Sequence, residues 1–310
     1  MTLDPSMKNI LEMYRNLNFP KLNEIDINDL REIMNNSNVM QESEAVNHIE
    51  DLSFDSDGSQ IRCRLYDPKK PGNGLIIYFH GGGFIWGGIE SSDSVCRRFA
   101  NVSGAKVLSV DYRLAPEHKF PAAVNDGVNA FLWAYNNSNK LGIDREKIAL
   151  VGDSSGGNIA ASSCLKLKDN GYPLPFLQVL FYPFMGPDFF SESMREFGEG
   201  YFLTMEEMNW IGDNYLESRK DAIDPYFSPV LHENLKGLPE AIIVTAEYDP
   251  LRDQGEMYVS RLYSAGVPVT SIRGKGMIHG FLGLFSVARA ADSIITMVFS
   301  LIGSRLNGQH

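Results

Sequence analysis

With 310 residues, 44% of them hydrophobic and 22% charged, the chain has the composition of a soluble globular protein with room for one large domain and a sizeable core. Its formal net charge of −11 disfavours nucleic acid and anionic membranes as partners and leaves neutral or cationic small molecules as the ligands of choice. Three widely separated cysteines, Cys63, Cys96 and Cys164, fit neither a disulfide framework nor paired metal spacing, and suit a reducing compartment.

Met1 to Asn9 lacks the apolar run of a signal peptide, so the expected location is cytoplasmic. From Leu3 to Asn38 the apolar positions Ile10, Tyr14 and Leu17, then Ile27, Leu30, Ile33 and Met34, recur at helical spacing. Phe19 and Pro20 interrupt them, so two short amphipathic helices are predicted. Val46 to Phe54 and Ile61 to Tyr66 read as strands around an Asp57-Gly58 turn, a hairpin signal.

The pattern then changes. Leu75 to Phe79, Lys106 to Val110, Ile148 to Val151, Phe176 to Phe181, Ala241 to Thr245 and Pro268 to Ile272 have strand length. Helix-length segments at Ser94 to Val102, Ala122 to Tyr135, Asn158 to Lys168 and Leu251 to Ala265 separate most of them. This alternation predicts an α/β fold with a mostly parallel sheet covered on both faces and the hairpin as its antiparallel edge. Between Phe184 and Pro229 strands give way to aromatics, among them Phe189, Phe190, Phe197, Tyr201, Phe202, Trp210 and Tyr215. Residues 184–229 thus read as a cap insertion and residues 1–45 as an N-terminal helical cap segment. Residues 46–183 and 230–310 form the body, and the caps lie over the sheet's carboxyl edge, where open α/β folds bind ligands. About half of these aromatics would in any case pack the insertion's own core. Ile294 to Ile302 is far shorter than the roughly 20 residues a bilayer span needs and reads as a core-facing terminal helix, with no membrane partner.

The chemistry begins at Gly152-Asp153-Ser154-Ser155-Gly156-Gly157. A G-x-S-x-G string alone is a weak signal, but this one joins a buried-type strand to a helix, and a tight strand-to-helix turn needs tiny neighbours around an exposed nucleophile. Ser154 satisfies the spacing and Ser155 does not. The helix start also offers the Ser155 amide to a developing oxyanion. His80-Gly81-Gly82-Gly83-Phe84 follows the strand Leu75 to Phe79, and its bare amides suit the second half of an oxyanion hole. A phosphate loop would require a Lys-Ser/Thr pair or a G-x-G-x-x-G helix start, and neither is present.

A general base and its orienting acid remain to be found. His48, His118, His232 and His310 lie in the hairpin, a Pro-Glu-His turn, a polar stretch and the terminus, and His80 is better suited to ordering its loop. His279, flanked by Gly276 and Gly280 after the last predicted strand, suits an exposed loop. Asp249 ends a predicted strand in Glu247-Tyr248-Asp249-Pro250-Leu251-Arg252-Asp253. Chemistry alone leaves it evenly balanced between helix cap and triad acid, with Glu247 and Asp253 as competitors. The chain order Ser154, Asp249, His279 tips the reading towards a serine triad.

The chain resembles the hormone-sensitive-lipase-like family of α/β-hydrolase esterases, closest in kind to bacterial acetyl esterases, from about Asp67 to its end. Five stretches carry the resemblance: His80 to Phe84, Asp111 to His118, Gly152 to Asn158, Asp249 to Asp253, and His279-Gly280-Phe281. The resemblance implies the α/β-hydrolase fold. It makes Ser154 the nucleophile, Asp249 the acid, His279 the base, and Gly81, Gly82 and Gly83 with Ser155 the oxyanion hole. It also implies two-step hydrolysis of short acyl esters, although the aromatic insertion argues mildly for longer ones. No metal or organic cofactor is expected, the expected partner is a small-molecule ester, and a homodimer is compatible with the sequence. The alternatives are an amide or formamide hydrolase with the same triad, or a non-catalytic receptor like the plant gibberellin receptors, which lack the triad histidine.

Overall fold

Asp57 and Gly58 adopt φ values of 52° and 81°, the paired positive values of a type I′ turn. They close a hairpin between β1 (His48–Ser56) and β2 (Ser59–Asp67), in register from Ser56 opposite Ser59 to His48 opposite Asp67. The computed structural model describes residues 2–17, 21–37, 43–188 and 190–308. Met1, Phe19, Pro20, Asn38, Phe189 and His310, named above, lie outside the described residues.

The hairpin joins the sheet where β2 pairs antiparallel with β4 (Lys106–Val110). All further neighbours are parallel, through β3 (Leu75–Phe79), β5 (Ile148–Asp153), β6 (Leu177–Phe181), β7 (Glu240–Tyr248) and β8 (Val269–Ile278). The order across the eight strands is β1-β2-β4-β3-β5-β6-β7-β8. Every residue of β3 and β6 is buried, as expected of strands covered on both faces.

Two cores follow from the strand alternation. Leu75, Ile77 and Phe79 face one, with Phe131 of α4 (Ala122–Asn136), Ile159 of α6 (Ser155–Asp169) and Tyr258 of α9 (Arg252–Ser264). Ile76 and Tyr78 face the other, with Phe99 of α3 (Ile89–Ser103) and Phe299 of α10 (Arg289–Asn307). The short helix α5 (Ser138–Leu141) follows α4. Among the described residues no helix is long and apolar enough to cross a membrane.

The central strands position the site. From β3 the chain crosses by α3 to β4 on one side, and from the adjacent β5 it crosses by α6 to β6 on the other. The loops leaving β3 and β5 therefore diverge, and the crevice between them is a topological switch point. The glycine loop and Ser154 meet there. The last two strands outrun the sequence expectation: β7 continues past Thr245 to Tyr248, and β8 past Ile272 to Ile278. β8 is an edge strand, and its continuation was disguised because the exposed Arg273 and Lys275 alternate with buried positions that are glycines, Gly274 and Gly276. The extension carries Asp249 and His279 to the crevice.

At the N-terminus, α1 (Pro5–Asn16) begins at Asp4, whose side chain accepts from the Ser6 N–H at 2.8 Å, with Pro5 at the first helical position. Its Met7 and Leu11 are buried in the core that holds α10, and α2 (Ile27–Ser37) buries Leu30. In the 184–229 segment lie α7 (Glu192–Phe197) and α8 (Met205–Tyr215). Tyr215 stacks on Phe84 with centroids 3.9 Å apart and Tyr201 stacks on Tyr248, so these aromatics pack the 184–229 segment against residues outside it, whereas Phe190 is exposed.

Candidate active site

Ser154 occupies the turn between β5 and α6 at φ 55°, ψ −118°, a backbone conformation that a serine holds only when its surroundings impose it. Its amide donates to the Phe181 carbonyl at 2.9 Å, and its carbonyl accepts from the Phe184 amide at 3.2 Å and the Asn158 amide at 3.1 Å. The turn is tight enough to exclude side chains. A Cβ on Gly152 would lie 2.2 Å from the Gly156 carbonyl oxygen, and one on Gly156 would lie 2.0 Å from that of Phe79.

The structure brings Ser154, His279 and Asp249 together. The Ser154 Oγ lies 2.9 Å from His279 Nε2, and His279 Nδ1 lies 2.8 Å from Asp249 Oδ2. With Nδ1 donating to the carboxylate, Nε2 is left to accept the serine hydroxyl. Asp249 is fully buried, and its other oxygen, Oδ1, accepts the Leu251 amide at 2.8 Å where α9 begins. Asp249 is therefore the partner of His279 and not the cap of α9, whose N-cap is Leu251; its second oxygen braces the turn that precedes the helix. Glu247 accepts the Gly276 amide at 2.7 Å, and Asp253 accepts the Ser193 amide and the Arg252 guanidinium, each at 2.8 Å, so neither faces His279.

On the opposite side of Ser154, the glycine loop corrects one expectation. The Gly81 amide donates to Asp153 Oδ1 at 2.9 Å and is not available to an oxyanion. The amides of Gly82, Gly83 and Ser155 make no hydrogen bond among the described residues. The physical reason is the half-buried Asp153 carboxylate at the end of β5, which draws its donors from the surrounding protein. Besides Gly81 it accepts the Tyr78 hydroxyl at 2.6 Å and the Tyr182 hydroxyl at 3.4 Å. Burial pushes the Asp153 carboxyl up, while the Tyr78 hydroxyl, the Gly81 amide and the nearby His279 hold it back. Sequence reasoning missed this network; its one signal was an acidic residue ending a buried strand beside the nucleophile.

His80 is a support of the same loop. Its Nδ1 lies 2.7 Å from the Gly81 carbonyl, its ring stacks on Tyr112, and the Tyr112 hydroxyl donates to its carbonyl at 2.8 Å. Burial pushes its pKa down to about 4, so the imidazole is neutral at neutral pH. His48 starts β1, and His232 pairs with Asp169 at 2.8 Å, away from the site. All three cysteines are buried and unpaired. No group of three or more His, Cys, Asp or Glu that could hold a metal ion occurs among the described residues.

Ser154, His279, Gly82, Gly83 and Ser155 open onto a cavity of about 310 Å³. Phe184, Ile211 and Phe227 form an apolar wall, and Tyr14, Phe202 and Glu207 also line it. A hydroxyl bonded to an imidazole, an imidazole oriented by a buried carboxylate and unpaired amides beside the nucleophile make an arrangement suited to attack on a carbonyl carbon.

Comparison with known proteins gives the same direction. A family model described as the alpha/beta hydrolase fold matches residues 76–283. The chain is 40% identical over 305 residues to an arylesterase of Saccharolobus solfataricus, covering 97% of this chain and 98% of that protein. It is 35% identical over 264 residues to an ethyl acetate hydrolase of Pseudomonas putida, covering 83% of each. Among solved structures, a hyperthermophilic esterase from Pyrobaculum calidifontis superposes with a TM-score of 0.93 at 38% identity, covering 98% of this chain and 99% of that one.

Proposed function

The chain belongs to the α/β-hydrolase fold family, in its hormone-sensitive-lipase-like esterase branch, and we propose that it hydrolyses esters of short carboxylic acids through a covalent acyl-enzyme carried by Ser154. The observation that supports this reading most is the unbroken relay from Asp249 through His279 to Ser154, at 2.8 and 2.9 Å, beside three unpaired amides. His279 takes the Ser154 proton as Oγ attacks the ester carbonyl, and Asp249 holds the imidazole in the required tautomer and stabilises the imidazolium. The amides of Gly82, Gly83 and Ser155 receive the oxyanion, and the loss of one such donor costs about 2.7 to 4 kcal/mol of transition-state stabilisation in a comparable site. His279 then gives its proton to the departing alcohol. Water attacks the acyl group by the same route in reverse, freeing the acid and Ser154.

Residues 1–45 and 184–229 act in this reading as a cap over the crevice. Contacts between the two pieces favour it: Arg15 donates to the Gly200 carbonyl at 2.9 Å, Tyr14 meets Phe202 with ring centroids 5.2 Å apart, and Lys21 pairs with Glu206 at 2.9 Å. A cytoplasmic location accompanies the reading, supported by the three unpaired thiols. Short acyl groups suit the bounded cavity, and one relative is named for ethyl acetate. The test is a rate series on p-nitrophenyl esters from acetyl to long acyl chains, with Ser154→Ala alongside. The expected result is highest kcat/KM on short acyl groups and a loss on the order of 10⁴-fold or more in Ser154→Ala. Wild-type rates in that variant would overturn the nucleophile, and a steady rise beyond about eight acyl carbons would overturn the short-chain preference.

A further inference from the structure

Glu207 is a carboxylate in the cavity that the proposed hydrolysis does not use. It is the third residue of α8, and the sequence Thr204-Met205-Glu206-Glu207 forms a capping box. The box occupies one oxygen only. Oε2 accepts both the Thr204 amide, at 2.8 Å, and the Thr204 hydroxyl, at 2.9 Å, while Oε1 makes no hydrogen bond among the described residues. The side chain lines the cavity, and no lysine or arginine among the described residues does so. Burial pushes the carboxyl up, and Thr204 and His279 hold it back. A partly buried carboxylate with one oxygen free of protein hydrogen bonds, in a cavity lined by no lysine or arginine among the described residues, is placed to attract a cation from outside.

The neighbours of Glu207 indicate which kind of cation that is. Tyr14 and Phe202, with ring centroids 5.2 Å apart at 56°, line the same cavity, and Glu207 lies close enough to Tyr14 for its charge to bear on the phenol. Phe202 in turn packs on the His279 loop, with ring carbon Cε1 3.4 Å from where a side chain on Gly280 would begin. Two aromatic rings and a carboxylate around an open space are the components that hold a substituted ammonium group, by cation–π attraction and by charge. The reaction geometry fixes which half of the ester reaches them. His279 delivers its proton to the leaving alcohol, so the alcohol departs on the side of His279 and Gly280, where these three side chains stand.

We propose that Glu207, Tyr14 and Phe202 form a subsite for an ammonium group on the alcohol half of the ester, so that esters of amino alcohols are preferred over neutral esters of the same shape. The inference rests on the ester-hydrolase reading and deepens it. It is tested by comparing kcat/KM for acetylcholine with that for its neutral isostere, 3,3-dimethylbutyl acetate, in the wild type, Glu207→Gln and Glu206→Gln. The side-chain amide oxygen of the Glu207→Gln variant can still accept from Thr204, so the capping box survives the change. Glu206→Gln removes the same formal charge one residue away, from a side chain paired with Lys21 outside the cavity lining. The wild type is expected to favour acetylcholine by about tenfold, mostly in KM. Glu207→Gln should bring the ratio close to one, and Glu206→Gln should keep it. A purely structural role for Glu207 would change both esters alike and leave the ratio untouched. As a measurement independent of any variant's folding, tetramethylammonium should compete with p-nitrophenyl acetate hydrolysis in the wild type. Hydrolysis of both esters with a ratio near one, or a ratio unmoved in Glu207→Gln, overturns the subsite alone. A preference for glycol monoacetate over propyl acetate in place of the acetylcholine preference would reassign Oε1 to a hydroxyl and overturn the ammonium. Inertness towards every ester overturns the hydrolase reading itself.

Discussion

Asp249 divides its two oxygens between an imidazole and the Leu251 amide in the turn before α9, and this division decides how its variants behave. In Asp249→Asn the amide oxygen can keep the Leu251 N–H, because Asn forms the same side-chain-to-backbone turn two residues on as Asp does. Its NH₂ group then faces His279 Nδ1 and favours the tautomer whose Nε2 carries the proton, which cannot accept from Ser154. The expected outcome is kcat lowered by about 10⁴-fold with a stability change within about 1 kcal/mol, read by kinetics and thermal melts on the purified variant. Asp253→Asn should keep a substantial fraction of activity, because its partners are Ser193 and Arg252; the reverse ranking would move the acid. His80 supplies a pH-dependent term. Its pKa is about 4 in the fold and near 6.5 unfolded, so the unfolded chain binds more protons between those values and stability falls as pH drops through the window. This group's share is about 2 kcal/mol lost between pH 7 and pH 5, and His80→Gln should flatten the measured slope by about one proton. A one-letter pattern names a residue without naming its atoms. For this reason the sequence set cap against acid at Asp249, and treated the Gly81 amide as equivalent to those of Gly82 and Gly83.

At the scale of elements, α2 holds the loop that carries the unpaired Gly82 and Gly83 amides, the proposed oxyanion donors. Arg31 donates from Nε to the Ile85 carbonyl and from Nη2 to the Ala115 carbonyl, each at 2.8 Å, and Asn35 Oδ1 accepts the Gly87 amide at 3.0 Å. Asn35→Ala removes the acceptor and loosens the loop, so kcat should fall several-fold with a smaller change in KM. Affinity for a trifluoromethyl ketone, whose adduct with serine carries an oxyanion, should weaken in proportion. Unchanged inhibitor affinity would mean that the loop holds its shape without α2. Deleting residues 1–38 removes this clamp and also strips Met7 and Leu11 from a core they share with Ile278 and Phe281. Impaired kinetics together with aggregation is expected; a truncated enzyme with unchanged kinetics and stability would show that the two helices are no lid. Helical periodicity disclosed that these helices exist. Their docking was not legible, because it runs through side chains bonded to distant backbone carbonyls, which leave no periodic trace. The far half of β8 was hidden because Gly274 and Gly276, which are buried there between and after the exposed Arg273 and Lys275, carry no apolar side chain to reveal the alternation.

For the whole molecule, the sheet was legible because burial on both faces writes near-continuous apolar runs into β3, β5 and β6, broken within β6 by the buried Gln178, and because the crossovers between them are helix-length. The site was legible where backbone geometry dictates residue type, as at Gly152 and Gly156, and hidden where a side chain answers a buried partner, as at Asp153. Surface charge is a third property fixed by sequence, and its consequence is kinetic. A net charge of −11 surrounds the molecule with a negative potential that concentrates cations near the cavity mouth. Hydrolysis of a cationic ester should therefore slow as salt screens that field, by about threefold between 20 and 500 mM NaCl, while a neutral isostere barely responds. The field belongs to the whole surface and the Glu207 contact to one residue. Glu207→Gln should accordingly lower the acetylcholine rate at every ionic strength yet retain most of the salt dependence. Loss of the salt dependence in that single variant would mean that the response comes from one local charge, because removing one net charge in eleven cannot abolish a field that the remaining ten still generate.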